Sequence, residues 1–309
     1  MRKYLVIGAG GTGGPIGAYL AKGGKDVTFI ARGENLKALK SNGIKVVRPE
    51  DEFIVKNFKA SEFKDYSDTP DVVFVCVKGY SLDAVIPDLK RVAGKNTIII
   101  PILNGFGTGE KLQKNIPDSL VTDGCTYVAA ELLEPGVIKM NGGIFRVIYG
   151  VRDKADYRDE LKDIEKELNE CDILGILSDN IVRDVLVKFS YVSPAGACGL
   201  YLNVVSGDMQ KPGEARDLFA GLISEVSEIG KAMGIEFEED LVERNLKIMD
   251  SLVDTATTSM QRDVNAGRQS EIDGLVFEVV RLADKYGVKA PLYRKVAEAL
   301  GGSRGRDSL

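Results

Sequence analysis

The opening of this 309-residue chain, KYLVIGAGGTGG at residues 3–14, restricts the fold more than any other stretch. A short apolar run leads directly into a turn holding Gly8, Gly10 and Gly13 in G-x-G-x-x-G spacing, and GPIGAYLAKGG after it has helical character. The first glycine permits the tight turn and the second lets backbone approach a pyrophosphate. The third lets helix and strand pack closely, and the helix N-terminus favours an anion. Glycine turns are common, and a purely structural turn is the alternative. The flanking strand and helix are the context that points to a dinucleotide instead.

The second strand, DVTFIAR, bears on which dinucleotide. A site for NAD places a carboxylate near this strand's end, to accept hydrogen bonds from the ribose hydroxyls. Here Ala31 is followed by Arg32, and a guanidinium pairs with a 2′-phosphate that a carboxylate would repel. The expected cofactor is therefore NADPH/NADP+, with Gly8, Gly10, Gly11, Thr12, Gly13 and Arg32 as cofactor-binding residues.

Strand-like and helical runs go on alternating. PDVVFVCVK and NTIIIPILN are unbroken apolar stretches of the kind covered on both faces in a parallel sheet, and SLDAVIPDLKRVAG between them has helical spacing. GIKVV, EFIVKNF and the segment 120–150 read as further strands, with Glu-Pro-Gly as a hairpin turn. DILGIL reads as a last strand. From residue 179 onward the periodicity is almost wholly helical. The fold class expected is α/β: an N-terminal Rossmann-type doubly wound sheet followed by an all-α C-terminal domain. The boundaries expected are 1–178 for the NADP(H)-binding domain, 179–300 for a helical substrate and catalytic domain, and 301–309 for a disordered polar tail.

Composition narrows the chemistry. A net charge of −5 argues against nucleic acid or a membrane surface as partner, and no apolar run reaches the roughly 20 residues of a spanning helix. The scattered cysteines, Cys76, Cys125, Cys171 and Cys198, suggest reduced thiols in the cytoplasm and no metal site. The chain has no histidine, so proton transfer must fall to Lys, Asp, Glu, Tyr or Cys.

Several polar residues stand where such chemistry could occur. Lys78 and Asn104 follow two apolar strands, and ligands of doubly wound sheets bind beyond strand carboxyl ends. Lys188 lies at the edge of an apolar helical face formed by Ile181, Val185, Phe189 and Val192, with Gly196 and Gly199 continuing a stripe that reads as a small-residue groove. Either it snorkels to water or it is held for use. Ser259 and Glu271 flank a polar segment that reads equally well as a solvated loop. Apolar stretches such as GLVFEVVRLA leave a homodimer open.

Together GAGGTGG, VKGYSLDAV, LNGFGTGE, VLVKF, SMQRDVNAGRQSEIDGL and ADKYGVKAPLY resemble the ketopantoate reductase family over nearly the whole chain. The resemblance implies NADPH-dependent reduction of a small 2-keto acid, 2-dehydropantoate in that family. It also implies that Lys188 is the catalytic general acid. Lys78 and Asn104 are implied as contacts to cofactor and substrate. Ser259 and Glu271 are implied as the serine and glutamate near the substrate carboxylate and hydroxyl, with Ser259 expected to bind substrate and Glu271 to be catalytic alongside Lys188. The sequence departs from the family where asparagines are expected four and eight residues after the lysine, for those positions hold Val192 and Gly196. Two other readings thus stay open: a reductase of a more apolar 2-keto acid, or an NADP(H)-binding protein without turnover.

Overall fold

The computed structural model describes residues 1–302. The first strands and helices alternate as β1 (Lys3–Ile7), α1 (Gly13–Lys22), β2 (Asp26–Ile30) and α2 (Gly33–Asn42). Three short strands follow, β3 (Ile44–Val47), β4 (Glu52–Val55) and β5 (Lys59–Ser61). Alternation resumes with β6 (Val72–Val75), α3 (Leu82–Val92), β7 (Ile98–Pro101), α4 (Thr108–Asn115) and β8 (Leu120–Val121). Then come β9 (Asp123–Tyr127), β10 (Ala130–Glu134), β11 (Val137–Met140), β12 (Arg146–Gly150), α5 (Glu160–Glu170) and β13 (Leu174–Leu177).

Among the described residues the strands form three sheets. The main one has the order β5-β2-β1-β6-β7-β8 and is parallel throughout, the doubly wound arrangement expected. After Lys3 at the start of β1, the strands β1, β6 and β7 are apolar throughout because both faces are covered. Tyr4, Val6, Val72, Phe74, Ile98 and Ile100 enter one core, while Leu5, Ile7, Val73, Val75 and Ile99 enter another. That is the period-two alternation of a pleated strand with two buried sides.

The remaining strands form two smaller sheets, and the expected hairpin with its Glu-Pro-Gly turn is β10–β11 in the first of them. One has the order β10-β11-β3-β4, with a turn at Gly136 in the left-handed region (φ +79°). In the other, β13 pairs in parallel with β12 and not with the main sheet, so DILGIL closes a three-stranded sheet.

The helical elements are α6 (Ile181–Tyr201), α7 (Ser206–Gln210), α8 (Glu214–Ala232), α9 (Leu241–Asp250), α10 (Ser259–Asn265), a π-helical turn at Asp273–Phe277, α11 (Glu278–Tyr286) and α12 (Pro291–Gly302). Contacts divide the chain into two compact units. The first is Met1–Leu103 with Gly107–Asp184, and the second is Asn104–Phe106 with the residues from Val185 on. The tripeptide after β7 groups with the helices because Phe106 packs its ring on Phe189 (centroids 6.2 Å apart) and Asn104 bonds to α6.

Residues 274–283, the stretch that suggested a dimer surface, bury Leu275, Val276, Val279, Leu282 and Ala283 in the second unit's own core. That apolar face is already used within the chain. The expected tail at 301–309 lies outside the described residues except for Gly301 and Gly302, which finish α12. Among the described residues no helix is long and apolar enough to cross a membrane, and no group of three or more Cys, Asp or Glu could hold a metal.

Candidate active site residues

In the first unit the glycine turn links β1 to α1. Gly8 adopts φ +99°, which a side chain rarely accepts, and its N–H donates to the Ile30 carbonyl at 3.0 Å. A Cβ at Gly13 would stand 2.1 Å from the Gly8 carbonyl oxygen and 2.8 Å from Cys76 Cβ, so α1 meets β6 only as glycine. A Cβ at Gly11 would lie 2.6 Å from the Ala130 carbonyl oxygen. At Gly10 it would meet nothing within 4 Å.

The turn therefore has two kinds of glycine. Gly8, Gly11 and Gly13 answer to the protein's own packing, whereas Gly10 leaves an open cradle. Thr12 is the N-cap residue of α1 and makes no side-chain capping bond. An open backbone surface at a helix N-terminus suits a pyrophosphate, so these residues fit a dinucleotide.

Arg32 is exposed at the carboxyl end of β2 as the N-cap residue of α2, again without a side-chain cap. Three residues on, Asn35 does something that sequence reading missed. Its Nδ2 donates to the Ala9 carbonyl at 3.0 Å, and its Oδ1 accepts from Gly136 N–H at 2.8 Å. One amide thus ties the glycine turn to the hairpin of the second sheet. A helical asparagine with no motif around it gives no sign of this in sequence. Lys78 lies three residues beyond β6 and caps a short 3-10 turn at Gly79–Ser81.

In the second unit Asn104 stands three residues beyond β7. Its Oδ1 accepts a hydrogen bond from Lys188 Nζ at 2.8 Å. Lys188 is half-buried on α6. A bond from an ammonium contributes on the order of 1.5–3 kcal/mol, and here it fixes both ends: the lysine gains an acceptor, and the amide is left with its two N–H donors facing elsewhere.

Ser259 opens α10, whose start is fixed by Thr258 and Gln261. Thr258 Oγ1 accepts from Gln261 N–H at 3.2 Å, and Gln261 Oε1 accepts from Thr258 N–H at 2.9 Å. This reciprocal pair satisfies two N–H groups of the helix end. Glu271 is only 7% exposed and directly precedes the helical run with the π turn. A solvated loop does not describe that position. Such π turns recur at functional sites.

Other expectations about α6 are corrected. Gly196 and Gly199 do not line a groove: a Cβ at Gly196 would lie 2.5 Å from Met260 Cε, and one at Gly199 would lie 2.5 Å from Gln261 Cδ. The small residues admit α10, and Met260 occupies the space beside Gly196. Of the polar neighbours nearest the missing asparagines, Ser193 is committed elsewhere and Asn203 is exposed. The Ser193 hydroxyl is fully buried against the Leu275 carbonyl and the Tyr293 hydroxyl. Asn203 takes φ +55° just after α6 ends. The Ser193 bond ties α6 to the turn that follows Glu271. Met260 beside Gly196 likewise ties α6 to the helix that starts at Ser259.

Comparison with known proteins agrees with this geometry. The family model described as ketopantoate reductase PanE/ApbA matches residues 4–154, and the model for the C-terminal part of that family matches residues 180–303. An uncharacterised oxidoreductase, YkpB, of Bacillus subtilis (strain 168) is 27% identical over 95% of this chain and 96% of its own. A 2-dehydropantoate 2-reductase of Pyrococcus horikoshii is 25% identical, covering 97% of this chain and 99% of its own. Among solved structures, a PanE/ApbA family ketopantoate reductase from Ralstonia eutropha JMP134 superposes with a TM-score of 0.87 at 21% identity, over 96% of this chain and 97% of that one. With a dinucleotide cradle after β1 and a lysine held by an asparagine on α6, and with family models matching most of its length, this chain belongs to the ketopantoate reductase family and is an NADP-dependent oxidoreductase.

Proposed function

We propose that the protein reduces 2-dehydropantoate to pantoate in the cytoplasm, with Lys188 as general acid. The observation that carries this reading is the 2.8 Å bond from Lys188 Nζ to Asn104 Oδ1. It holds an ammonium in a defined place on a helix of a chain that has no histidine. That no disulfide joins any of the four cysteines supports the cytoplasmic location.

Bound NADPH supplies a hydride to the keto carbon. As the C=O bond becomes a C–O single bond, Lys188 gives a proton from Nζ to the oxygen, which stays on that carbon as the product's hydroxyl, and the lysine is left as the neutral amine. Before that transfer the ammonium's charge stabilises the alkoxide that develops. Asn104, having spent its oxygen on Lys188, offers N–H donors to substrate or cofactor oxygens. Ser259 donates to the substrate, and buried Glu271 keeps Lys188 charged and aimed. In the dinucleotide site Gly8, Gly10, Gly11, Thr12 and Gly13 receive the pyrophosphate, Arg32 pairs with the 2′-phosphate, and Lys78 contacts cofactor or substrate.

One observation favours a second reading. Val192 and Gly196 stand where the family resemblance implies asparagines, and Met260 fills the space beside Gly196. An apolar wall of this kind suits a 2-keto acid with a hydrocarbon substituent. The test is NADPH absorbance loss with a panel of ketopantoate and branched or aromatic 2-keto acids lacking the hydroxyl. Highest kcat/KM on ketopantoate supports the first reading, and highest kcat/KM on a hydrocarbon side chain supports the second. Tight NADPH binding with no turnover of any 2-keto acid would contradict both.

A further inference from the structure

Pro194 lies inside α6, six residues past Lys188. It carries no N–H, so the Ser190 carbonyl one turn earlier loses its helical partner. Ser190 is fully buried, and a buried carbonyl left without a hydrogen-bond donor is destabilising. The gap is filled from another helix. Asn245 of α9, also fully buried, donates from Nδ2 to the Ser190 carbonyl oxygen at 3.0 Å and to Ser190 Oγ at 2.9 Å.

Ser190 Oγ in turn donates to the carbonyl of Val187, the residue before Lys188, at 2.8 Å. A proline within a helix and a hydroxyl bonded back to its own turn are both sites of bending. On the far side, Arg244 Nη1 donates to Asn245 Oδ1 at 3.2 Å, and Glu239 holds the same guanidinium at 2.8 Å. That contact settles which end of the Asn245 amide faces Ser190.

We propose that Asn245 is a positioning residue for the reaction: it replaces the backbone N–H that Pro194 lacks, and so sets the course of the part of α6 that holds Lys188 against Asn104. The inference rests on Lys188 being the acid. It assigns Asn245 no contact with substrate or cofactor. A shift of about 1 Å in a catalytic group can cost up to about 100-fold in rate, so a partial loosening should register in kcat.

The test is a two-by-two set of variants. Asn245→Leu keeps the volume and removes the donor; kcat should fall about tenfold, while NADPH affinity by fluorescence titration stays within about twofold. Pro194→Ala restores an N–H at position 194, so in that background Asn245→Leu should cost less than about twofold, the coupling expected of groups serving one carbonyl. Equal losses in both backgrounds overturn the proposal, as does a parent-like kcat for Asn245→Leu alone. Should Asn245→Leu fail to fold, the double variant decides: soluble protein turning over like Pro194→Ala supports the proposal, and insoluble or inactive protein overturns it. Lys188→Ala is assayed alongside. Parent-like turnover there refutes the acid assignment, whereas an inactive Lys188→Ala with uncoupled losses at 194 and 245 refutes only the positioning role.

Discussion

Two glycines three residues apart should respond in opposite ways to the same methyl group. At Gly13 an alanine Cβ would stand 2.1 Å from the Gly8 carbonyl oxygen, 2.8 Å from Cys76 Cβ and 3.0 Å from Val6 Cγ1. The nearest of these is backbone, which cannot rotate away, so α1 must lift off the sheet. Overpacking costs about 1–3 kcal/mol and occasionally more; the upper figure applies, and for a unit of this size it corresponds to a fall in Tm of about 6–12 °C. At Gly10 the same methyl meets nothing within 4 Å, and the backbone there is outside the left-handed region. Gly10→Ala should leave Tm unchanged or slightly raised, by the equivalent of about 0.4–1 kcal/mol, through loss of unfolded-chain entropy.

NADPH binding should then separate from stability. If backbone at Gly10 is where the pyrophosphate approaches, a methyl there removes one charge-assisted hydrogen bond, about 1.5–3 kcal/mol. At 1.4 kcal/mol per decade this weakens Kd by about 10- to 100-fold. The assays are a thermal melt and a fluorescence titration with NADPH. An alanine at Gly10 that binds NADPH like the parent refutes the cradle, and an alanine at Gly13 that melts like the parent refutes the packing argument.

Two further outcomes follow from the structure. Arg32→Ala should raise KM for NADPH by about tenfold or more while leaving KM for NADH nearly unchanged, since a charge-assisted pair is worth about 1.5–3 kcal/mol; equal effects on both dinucleotides would contradict its pairing with a 2′-phosphate. Glu225 on α8 accepts from the N–H groups of Leu292 and Tyr293 at 2.8 and 2.9 Å, and burial raises its pKa despite those bonds. The folded state therefore holds that proton more tightly than the unfolded chain. Stability from this group is present below the ordinary glutamate pKa and declines as pH rises through the folded value. Relative to the parent, Glu225→Gln should gain Tm as pH rises from strongly acidic toward neutral, and a trend in the other direction would contradict the assignment.

What was legible in the sequence was whatever depends on one element and its immediate neighbours. The unbroken apolar strands at 72–75 and 98–101 announced a sheet covered on both faces, and the spacing of Gly8, Gly10 and Gly13 announced the turn between β1 and α1. What escaped depends on partners far along the chain. Asn35 bonds to Gly136 across a hundred residues, and Ser193 reaches Leu275 and Tyr293. Asn245 answers a proline on another helix, a relation that no local pattern encodes.

Gly196 and Gly199 show the same limit from the other side. Small residues along a helix state that something comes close, and not what. Here it is Met260 and Gln261 of α10. The pairing of Lys188 with Asn104 stood between these cases. Family resemblance marked both residues, but only the fold shows that the chain leaves β7 and places Asn104 beside α6.

The central claim, that Lys188 protonates the reduced carbonyl, is tested most directly by Lys188→Ala in single-turnover absorbance with NADPH and the best keto acid of the panel, alongside an NADPH titration. Loss of the proton donor removes general-acid assistance worth about 100- to 10,000-fold. The account predicts a fall of that order in the rate of NADPH oxidation, with NADPH Kd essentially unchanged. NADPH oxidation at the parent's rate in Lys188→Ala would contradict it.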